Sequence, residues 1–238
     1  MSDSIKYLLA IDTASNFAGL ALWGDGQILA EETWYSAMAH SVELMPRVER
    51  MLKTLDVDVQ SLAGIGVSLG PGSFTGLRIG LAAAKGLALP HRLPVVGIPT
   101  LDAVAYPFQD EDRPVWAVIE AGRSRLGVAC YGVSDHGWGQ LAPPTITTVQ
   151  GLSQLVSPPA VLVGEISPTA AAQLREALGS KVFLPSPALR RRRPACLAEM
   201  AAARLQRNQV DDLATLAPIY LRTPEGKEEP PPGKGNSL

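Results

Sequence analysis

The segment from Leu69 to Gly80 reads LGPGSFTGLRIG and joins an apolar run to a long run rich in alanine and leucine. Ile65 to Leu69 has the length and composition of a short buried strand, and Thr75 to Leu89 has those of a helix ended by Pro90. A glycine loop between a strand and a helix start presents free backbone N–H groups to an anion. The segment therefore predicts an α/β arrangement, with either a phosphate site or a tightly packed turn at the loop.

The glycine loop matches neither common nucleotide-binding fingerprint. A P-loop needs a lysine and then serine or threonine after its last glycine, where this chain has Leu77-Arg78. The dinucleotide pattern fails because three residues separate Gly72 from Gly76 and no acidic residue follows about twenty positions later. Gly76, Gly80 and Ala84 recur four apart, which favours a smooth helix face packed closely against another helix. Packing is the preferred interpretation, because glycines most often serve backbone geometry.

The first half of the chain predicts a mixed sheet flanked by helices. An Asp-Gly pair at Asp25-Gly26 is typical of a tight hairpin. Ser41 to Leu55 predicts a helix with a broad apolar face, with Pro46 near its start, and Pro99 to Tyr106 predicts a short helix. The predicted strands are Tyr7 to Asp12, Gly19 to Trp23, Gln27 to Glu32, Ile65 to Leu69 and Val95 to Gly97.

The second half repeats this pattern more weakly. Its predicted strands are Val115 to Ile119, Leu126 to Tyr131, Gly137 to Leu141 and Val161 to Val163. Its predicted helices lie around Leu152, from Pro168 to Leu178 and from Ala195 to Gln206. We expect two lobes, residues 1–106 and 107–222, followed by a disordered tail at 223–238 that is rich in Pro, Gly, Glu and Lys.

Composition excludes several classes of protein. The 238 residues are 46% hydrophobic and 18% charged, enough for a globular core, yet no apolar run is long enough to cross a bilayer. The polar start from Met1 to Lys6 does not resemble a signal peptide, so we expect a cytoplasmic protein without a membrane partner. A formal net charge of -2 gives the chain alone no reason to bind nucleic acid strongly.

Cysteines and histidines are too few for a predicted metal centre. Cys130 and Cys196 lie far apart, so they predict neither a disulfide framework nor a four-ligand site. The three histidines, His40, His91 and His136, cannot share a helical turn. We therefore expect no metal, and we interpret His40 as a helix-start or interface residue.

The run GPGSFTGLRIG, Gly70 to Gly80, resembles the signature of the TsaB (YeaZ) family of bacterial tRNA-modification proteins. Further segments that fit the family are Leu9-Ala10-Ile11-Asp12-Thr13, His40-Ser41 with Leu44 and Pro46, and Pro218-Ile219-Tyr220-Leu221-Arg222. One segment departs from it: Glu120-Ala121-Gly122-Arg123 stands where the family usually has Asp-Ala-Arg, which puts any role of that acidic residue in doubt.

The resemblance implies the actin, Hsp70 and sugar-kinase fold, with two α/β lobes and a cleft between them. It also implies a non-catalytic subunit that pairs with a TsaD-type catalytic protein and works with a TsaE-type ATPase. In that system TsaD transfers the threonylcarbamoyl group to adenosine 37 of tRNAs that read codons beginning with A. The chain would meet tRNA indirectly through the complex, and it could form a homodimer when TsaD is absent.

We expect the partner to dock on the two predicted helices that flank the glycine loop, because the first has an unusually wide apolar face. The alternative is that both helix faces only cover the chain's own sheet. The candidate interface residues are His40, Ser41, Leu44, Met45, Val48, Met51, Leu52, Leu55, Gly76, Leu77, Gly80 and Ala84.

An active small-molecule kinase or ATPase of the same fold is the alternative function. Actin-like ATPases hold phosphate with a first-strand Asp and a small polar turn, and Asp12-Thr13-Ala14-Ser15 matches that start. Val163-Gly164-Glu165 offers only one of the two glycines that admit adenosine, so Asp12 could instead cap its own turn. No tightly bound cofactor is expected, while ATP or ADP in the cleft or at the subunit junction stays open. The candidate phosphate contacts are Asp12, Thr13, Ser15, Gly72 and Ser73.

A protease is a remote alternative, because Ser73 lacks the nucleophile-elbow sequence and no histidine is placed to activate it. The sharpest charge run comprises Arg190, Arg191, Arg192 and Arg193, ahead of the last predicted helix. A solvated lead-in to that helix is the preferred interpretation. Contact with tRNA is the second, since cations at a helix start oppose the helix dipole and a phosphate would relieve that cost.

Overall fold

A computed structural model describes residues 6–37, 39–122, 125–135 and 137–221 of the chain. The described part contains two mixed β-sheets. The strands of the first are β1 (Tyr7–Asp12), β2 (Phe17–Gly24), β3 (Gln27–Tyr35), β4 (Gly64–Gly70) and β5 (Val95–Pro99). Those of the second are β6 (Val115–Glu120), β7 (Leu126–Ser134), β8 (Gly137–Gln140), β9 (Thr145–Thr147), β10 (Ala160–Gly164) and β11 (Val182–Phe183).

The two sheets share one topology. The first has the order β3-β2-β1-β4-β5 and the second β11-β10-β6-β7-β8, with β9 added beside β7. In each sheet the opening strand is antiparallel to the next strand in the chain and parallel to the strand that follows the first helix of that lobe. The second half of the chain is therefore a structural copy of the first, which confirms the predicted repeat and the predicted α/β fold class.

The helices are α1 (His40–Thr54), α2 (Phe74–His91), α3 (Thr100–Ala105), α4 (Val149–Leu155), α5 (Pro168–Leu178), α6 (Pro187–Arg190) and α7 (Pro194–Gln206). Short 3-10 turns lie at Val59–Ser61, Tyr106–Phe108 and Gly179–Lys181. The predicted hairpin is confirmed, because Asp25 and Gly26 both adopt positive φ between β2 and β3. The sequence missed β9, β11 and α6, each four residues or shorter.

Helices cover both faces of the first sheet. α1 and α2 pack on one face, where Leu9, Leu20 and Val67 form the centre of a core. On the other face α7 packs against Leu8, Ala10 and Ala21. A helix from the predicted second lobe thus completes the first lobe, so the boundary predicted at residue 106 does not separate two independent packing units.

A third core joins the two sheets. α3 lies between them, and its Leu101 and Val104 pack with Val115 and Val161 of the second sheet. Along the described ranges, no helix is long and apolar enough to cross a membrane. The predicted tail at 223–238 lies outside the described residues.

Candidate functional site

A cleft of about 880 Å³ opens where the turns that follow the parallel strands of both sheets meet. The turn after β1 contributes Ser15, and the glycine loop after β4 contributes Gly72 and Ser73. In the second sheet Glu120 ends β6, Ala121 and Gly122 follow that strand, and Glu165 follows β10. Ligands of open α/β sheets bind at the carboxyl ends of strands, so this cleft is the candidate site.

Asp12 ends β1, in the same turn as the cleft-lining Ser15, and is almost fully buried. One carboxylate oxygen accepts the Ala14 backbone N–H at 3.1 Å, which confirms the predicted capping of the turn. The other oxygen accepts from the guanidinium of Arg192. Both oxygens of Asp12 thus have partners within the chain, and one of these partners is the buried guanidinium of Arg192.

Arg192, which the sequence suggested only as an RNA contact, is instead the ion-pair partner of Asp12. Its side chain is 2% exposed and also donates to Glu165 at 2.6 Å and to the Phe17 carbonyl at 2.9 Å. Burial alone would lower its pKa, but attraction to Asp12 and Glu165 outweighs this effect and raises the pKa. No local sequence signal reveals this role, because Asp12 lies 180 residues away in the chain.

The glycine loop packs against the turn that follows β1. A Cβ atom added at Gly72 would lie 2.2 Å from the Ala14 carbonyl oxygen, and one at Gly76 would lie 2.2 Å from that of Thr13. The Ser73 N–H also donates to the Ala14 carbonyl at 2.6 Å. Tight packing is thus confirmed, but its partner is a turn of the same chain, whereas the sequence predicted another helix.

The candidate phosphate contacts divide into two groups. Thr13 is fully buried and its hydroxyl donates to the Gly76 carbonyl at 2.7 Å. Ser15 and Ser73 do line the cleft, with Gly72 beside them, but their hydroxyls make local bonds. Ser15 donates to Glu165 at 2.7 Å, and Ser73 accepts the Gly76 N–H as the cap of α2.

The chain's last described segment closes over the start of α2. The Ile219 N–H donates to the carbonyl of Leu69, near the end of β4, at 2.7 Å. Tyr220 stacks on Phe74 with 5.2 Å between ring centroids, and its hydroxyl accepts from Arg78 at 3.2 Å. The motif from Pro218 to Leu221 therefore packs against the glycine loop and the first turns of α2. Arg222 lies outside the described residues.

Most of the candidate partner-interface residues lie inside the first lobe. Ser41 and Met45 are exposed and Leu55 is half-buried, whereas the remaining nine are buried in the chain's own core. The buried ones are His40, Leu44, Val48, Met51, Leu52, Gly76, Leu77, Gly80 and Ala84. The wide apolar face of α1 is thus largely explained by the sheet beneath it, and His40 bonds the Ser15 carbonyl at 2.9 Å.

The arginine run is not a uniformly solvated lead-in. Besides the buried Arg192, Arg190 is 7% exposed and donates to the Ile166 carbonyl at 2.7 Å. Arg193 is exposed and pairs with Glu31 of β3. Arg191 is exposed and stacks on the Phe17 ring at 3.7 Å. Two of the four predicted RNA-contacting side chains are therefore structural.

The segment that departs from the family pattern forms the cleft wall in the second lobe. Burial and the nearby Glu165 together raise the pKa of Glu120. Gly122 has φ +69, and a Cβ there would meet nothing within 4 Å. Arg123 lies outside the described residues. Over the described part of the chain, no three or more His, Cys, Asp and Glu side chains gather where they could hold a metal ion.

A duplicated mixed sheet with a cleft at its strand ends defines a two-lobed α/β protein of the actin-like fold. The family model described as TsaD: tRNA N6-adenosine threonylcarbamoyltransferase matches residues 28–229, and the chain belongs to this family.

Individual relatives confirm the resemblance to TsaB. The chain is 28% identical over 223 residues to the tRNA threonylcarbamoyladenosine biosynthesis protein TsaB of Bacillus subtilis, covering 92% of this chain and 96% of the relative. It is 39% identical over 132 residues to the TsaB protein of Escherichia coli, covering 55% and 57%. YeaZ from Pseudomonas aeruginosa superposes with a TM-score of 0.74 at 23% identity, covering 91% of this chain and all of YeaZ, and thus shares its fold.

Proposed function

We propose that this chain is a non-catalytic subunit in the formation of threonylcarbamoyladenosine at position 37 of tRNAs that read codons beginning with A. The pathway follows from its similarity to TsaB proteins along nearly its whole length. A TsaD-type subunit carries out the transfer, and a TsaE-type ATPase works with the pair.

The ion pair of Asp12 with Arg192 is the observation that carries the non-catalytic part of the proposal. A nucleotide-hydrolysing protein of this fold needs the first-strand carboxylate for its phosphates and their cation. Here that carboxylate is 2% exposed and already neutralised by the chain's own guanidinium. The alternative, an independent kinase or ATPase, would need a phosphate-bound cation to displace Arg192 from Asp12, and loss of one partner from a buried ion pair costs about 3–5 kcal/mol.

We propose that the TsaD-type partner docks on the outer faces of α1 and α2, which pack side by side on the first sheet. Val42 is 69% exposed and Met45 is 40% exposed on α1, and Leu89 is 64% exposed on α2. Ala82 and Gly86 of α2 are exposed and small, so a helix of the partner could approach α2 closely at these positions. This surface replaces the buried residues of the predicted interface and still includes Met45.

Reconstitution tests the role in the pathway. With threonylcarbamoyl adenylate supplied as the group donor, purified TsaD-type and TsaE-type proteins of the same organism should modify tRNA only when this chain is added. The chain by itself should neither modify tRNA nor release phosphate from ATP. Turnover of ATP by the isolated chain would favour the kinase alternative, and full modification without the chain would overturn the proposed role.

Two valines with the same exposure test the docking surface. Val42→Glu and Met45→Glu should lower TsaD binding in a pull-down by at least about tenfold, since each buries a charge in a protein interface. Val133→Glu is the matched control, because Val133 is also 69% exposed but lies on β7 of the second sheet. Equal binding by all three variants would exclude this surface. A charge at Leu52, by contrast, would unfold the chain, because Leu52 is only 4% exposed.

We also propose that Arg191 is the residue of the arginine run that contacts tRNA in the assembled complex. It is exposed at the mouth of the cleft, where an arginine can pair with a phosphate without leaving the Phe17 ring.

A further inference from the structure

We infer that the guanidinium of Arg192 holds the two lobes at one fixed angle, in a pocket whose oxygen atoms come from both lobes. The inference is independent of the proposed function, because it concerns only the isolated chain.

The geometry of the pocket points to a lock between lobes. Asp12 ends the first strand of the first sheet, and Glu165 follows β10 of the second sheet. Arg192 contacts both carboxylates through different nitrogen atoms, Nε toward Asp12 and Nη1 toward Glu165. A single planar guanidinium therefore bridges the two lobes, and any rotation of one lobe against the other must break at least one charged contact.

The remaining polar atoms complete the pocket around the guanidinium. The third nitrogen, Nη2, donates to the Phe17 carbonyl at 2.9 Å and lies 3.4 Å from the Ser15 hydroxyl. Ser15 in turn donates to Glu165 at 2.7 Å. A lysine ammonium could not make these contacts, because they point in three directions across a plane that only a guanidinium spans.

Neighbouring residues keep Arg192 in place. Arg190 donates to the Ile166 carbonyl on the second-lobe side, and Arg193 pairs with Glu31 on the first-lobe side. Glu31 also accepts the Ala195 N–H at 3.1 Å, which stabilises the start of α7. The segment from Arg190 to Arg193 thus contacts both lobes on either side of the ion pair between Arg192 and Asp12.

Chemical rescue of Arg192→Ala tests the inference, with Arg193→Ala as the matched control. Arg193 is the next residue and also forms an ion pair, but its side chain is 60% exposed where that of Arg192 is 2% exposed. Arg192→Ala leaves the buried carboxylate of Asp12 and the largely buried one of Glu165 without a cation, so its unfolding equilibrium constant should rise about a hundredfold or more. Hydrogen exchange at residues 12–17 and 164–167 should accelerate together. Arg193→Ala should change both quantities far less, because its ion pair with Glu31 is exposed.

Guanidinium at about 50 mM, far below denaturing concentrations, should restore much of the stability and exchange protection of Arg192→Ala. Sodium chloride at equal ionic strength should not, which separates filling of the pocket from charge screening. Equal stability and exchange in the two alanine variants would overturn the lock, as would equal rescue by both salts.

Arg192→Lys decides the question if Arg192→Ala does not fold. It keeps a positive charge but loses the planar set of donors, so exchange at residues 12–17 and 164–167 should still accelerate about tenfold or more. Wild-type exchange rates in Arg192→Lys would show that charge alone suffices, and the lock by a guanidinium would be wrong.

Discussion

Thr13 and Gly80 contact each other so closely that no side chain fits between them: a Cβ atom at Gly80 would lie 2.1 Å from the Thr13 hydroxyl oxygen. Thr13 is itself fixed, because its hydroxyl donates to the Gly76 carbonyl one turn earlier in α2. The helix and the turn after β1 are therefore fitted to each other, and this contact sets how near the glycine loop comes to the cleft.

We expect Gly80→Ala to destabilise the protein by about 2–3 kcal/mol, because the added methyl group must push the turn away from α2. Gly86→Ala in the same helix is the control: a Cβ there meets nothing within 4 Å, so the better helix propensity of alanine should stabilise the protein by about 0.5–1 kcal/mol. Urea unfolding measures both, and equal effects of the two substitutions would contradict the close contact.

The second prediction concerns Asp102 on α3, which accepts a hydrogen bond from the Tyr131 hydroxyl at 2.6 Å. Burial raises the pKa of Asp102, and the bond from Tyr131 opposes this only in part. The folded state thus binds the proton more tightly than the unfolded state, so this carboxyl's contribution to stability is complete below pH about 4 and is lost as pH rises through the raised pKa.

Asp102→Asn should therefore flatten the fall of unfolding free energy with rising pH above about 4, as measured by urea unfolding at a series of pH values. Tyr131→Phe should make that fall steeper, since it removes the bond that favours the ionised carboxylate. Unchanged pH profiles in both variants would exclude Asp102 as the source.

The third prediction tests the proposed tRNA contact of Arg191. Arg191→Gln should lower the slope of log affinity against log salt by about 1 for tRNA binding by the assembled complex, because one phosphate contact is lost. Arg193→Gln should lower it less, since Arg193 is paired with Glu31. An unchanged slope in Arg191→Gln would remove the contact.

The fold was largely predictable because its signals are local. Strand and helix periodicity, the Asp25-Gly26 turn and the glycine loop each depend on residues close in sequence, and the structure confirms them. The elements that were missed, such as β11 and α6, have two and four residues, too few for any period to show.

The partners of the site residues were not predictable, because they are distant in sequence. The wide apolar face of α1 was interpreted as a docking surface. Leu44 and Val48 are nevertheless 1% exposed, because they pack on β1 and β2 of the first sheet. The four arginines look alike in sequence, yet Arg192 is buried only because Asp12 and Glu165 meet at one point in space. The spacing of residues in the sequence does not predict contacts between residues so far apart in the chain.

The return of α7 to the first sheet has a consequence for biosynthesis. The first 105 residues leave the ribosome with one side of their sheet bare, and Leu8, Ala10 and Trp23 stay uncovered until Pro194–Gln206 emerges. Nascent chains should therefore depend on chaperones for most of translation. Any nonsense mutation upstream of Pro194 should yield an aggregation-prone, rapidly degraded fragment, not a folded first lobe.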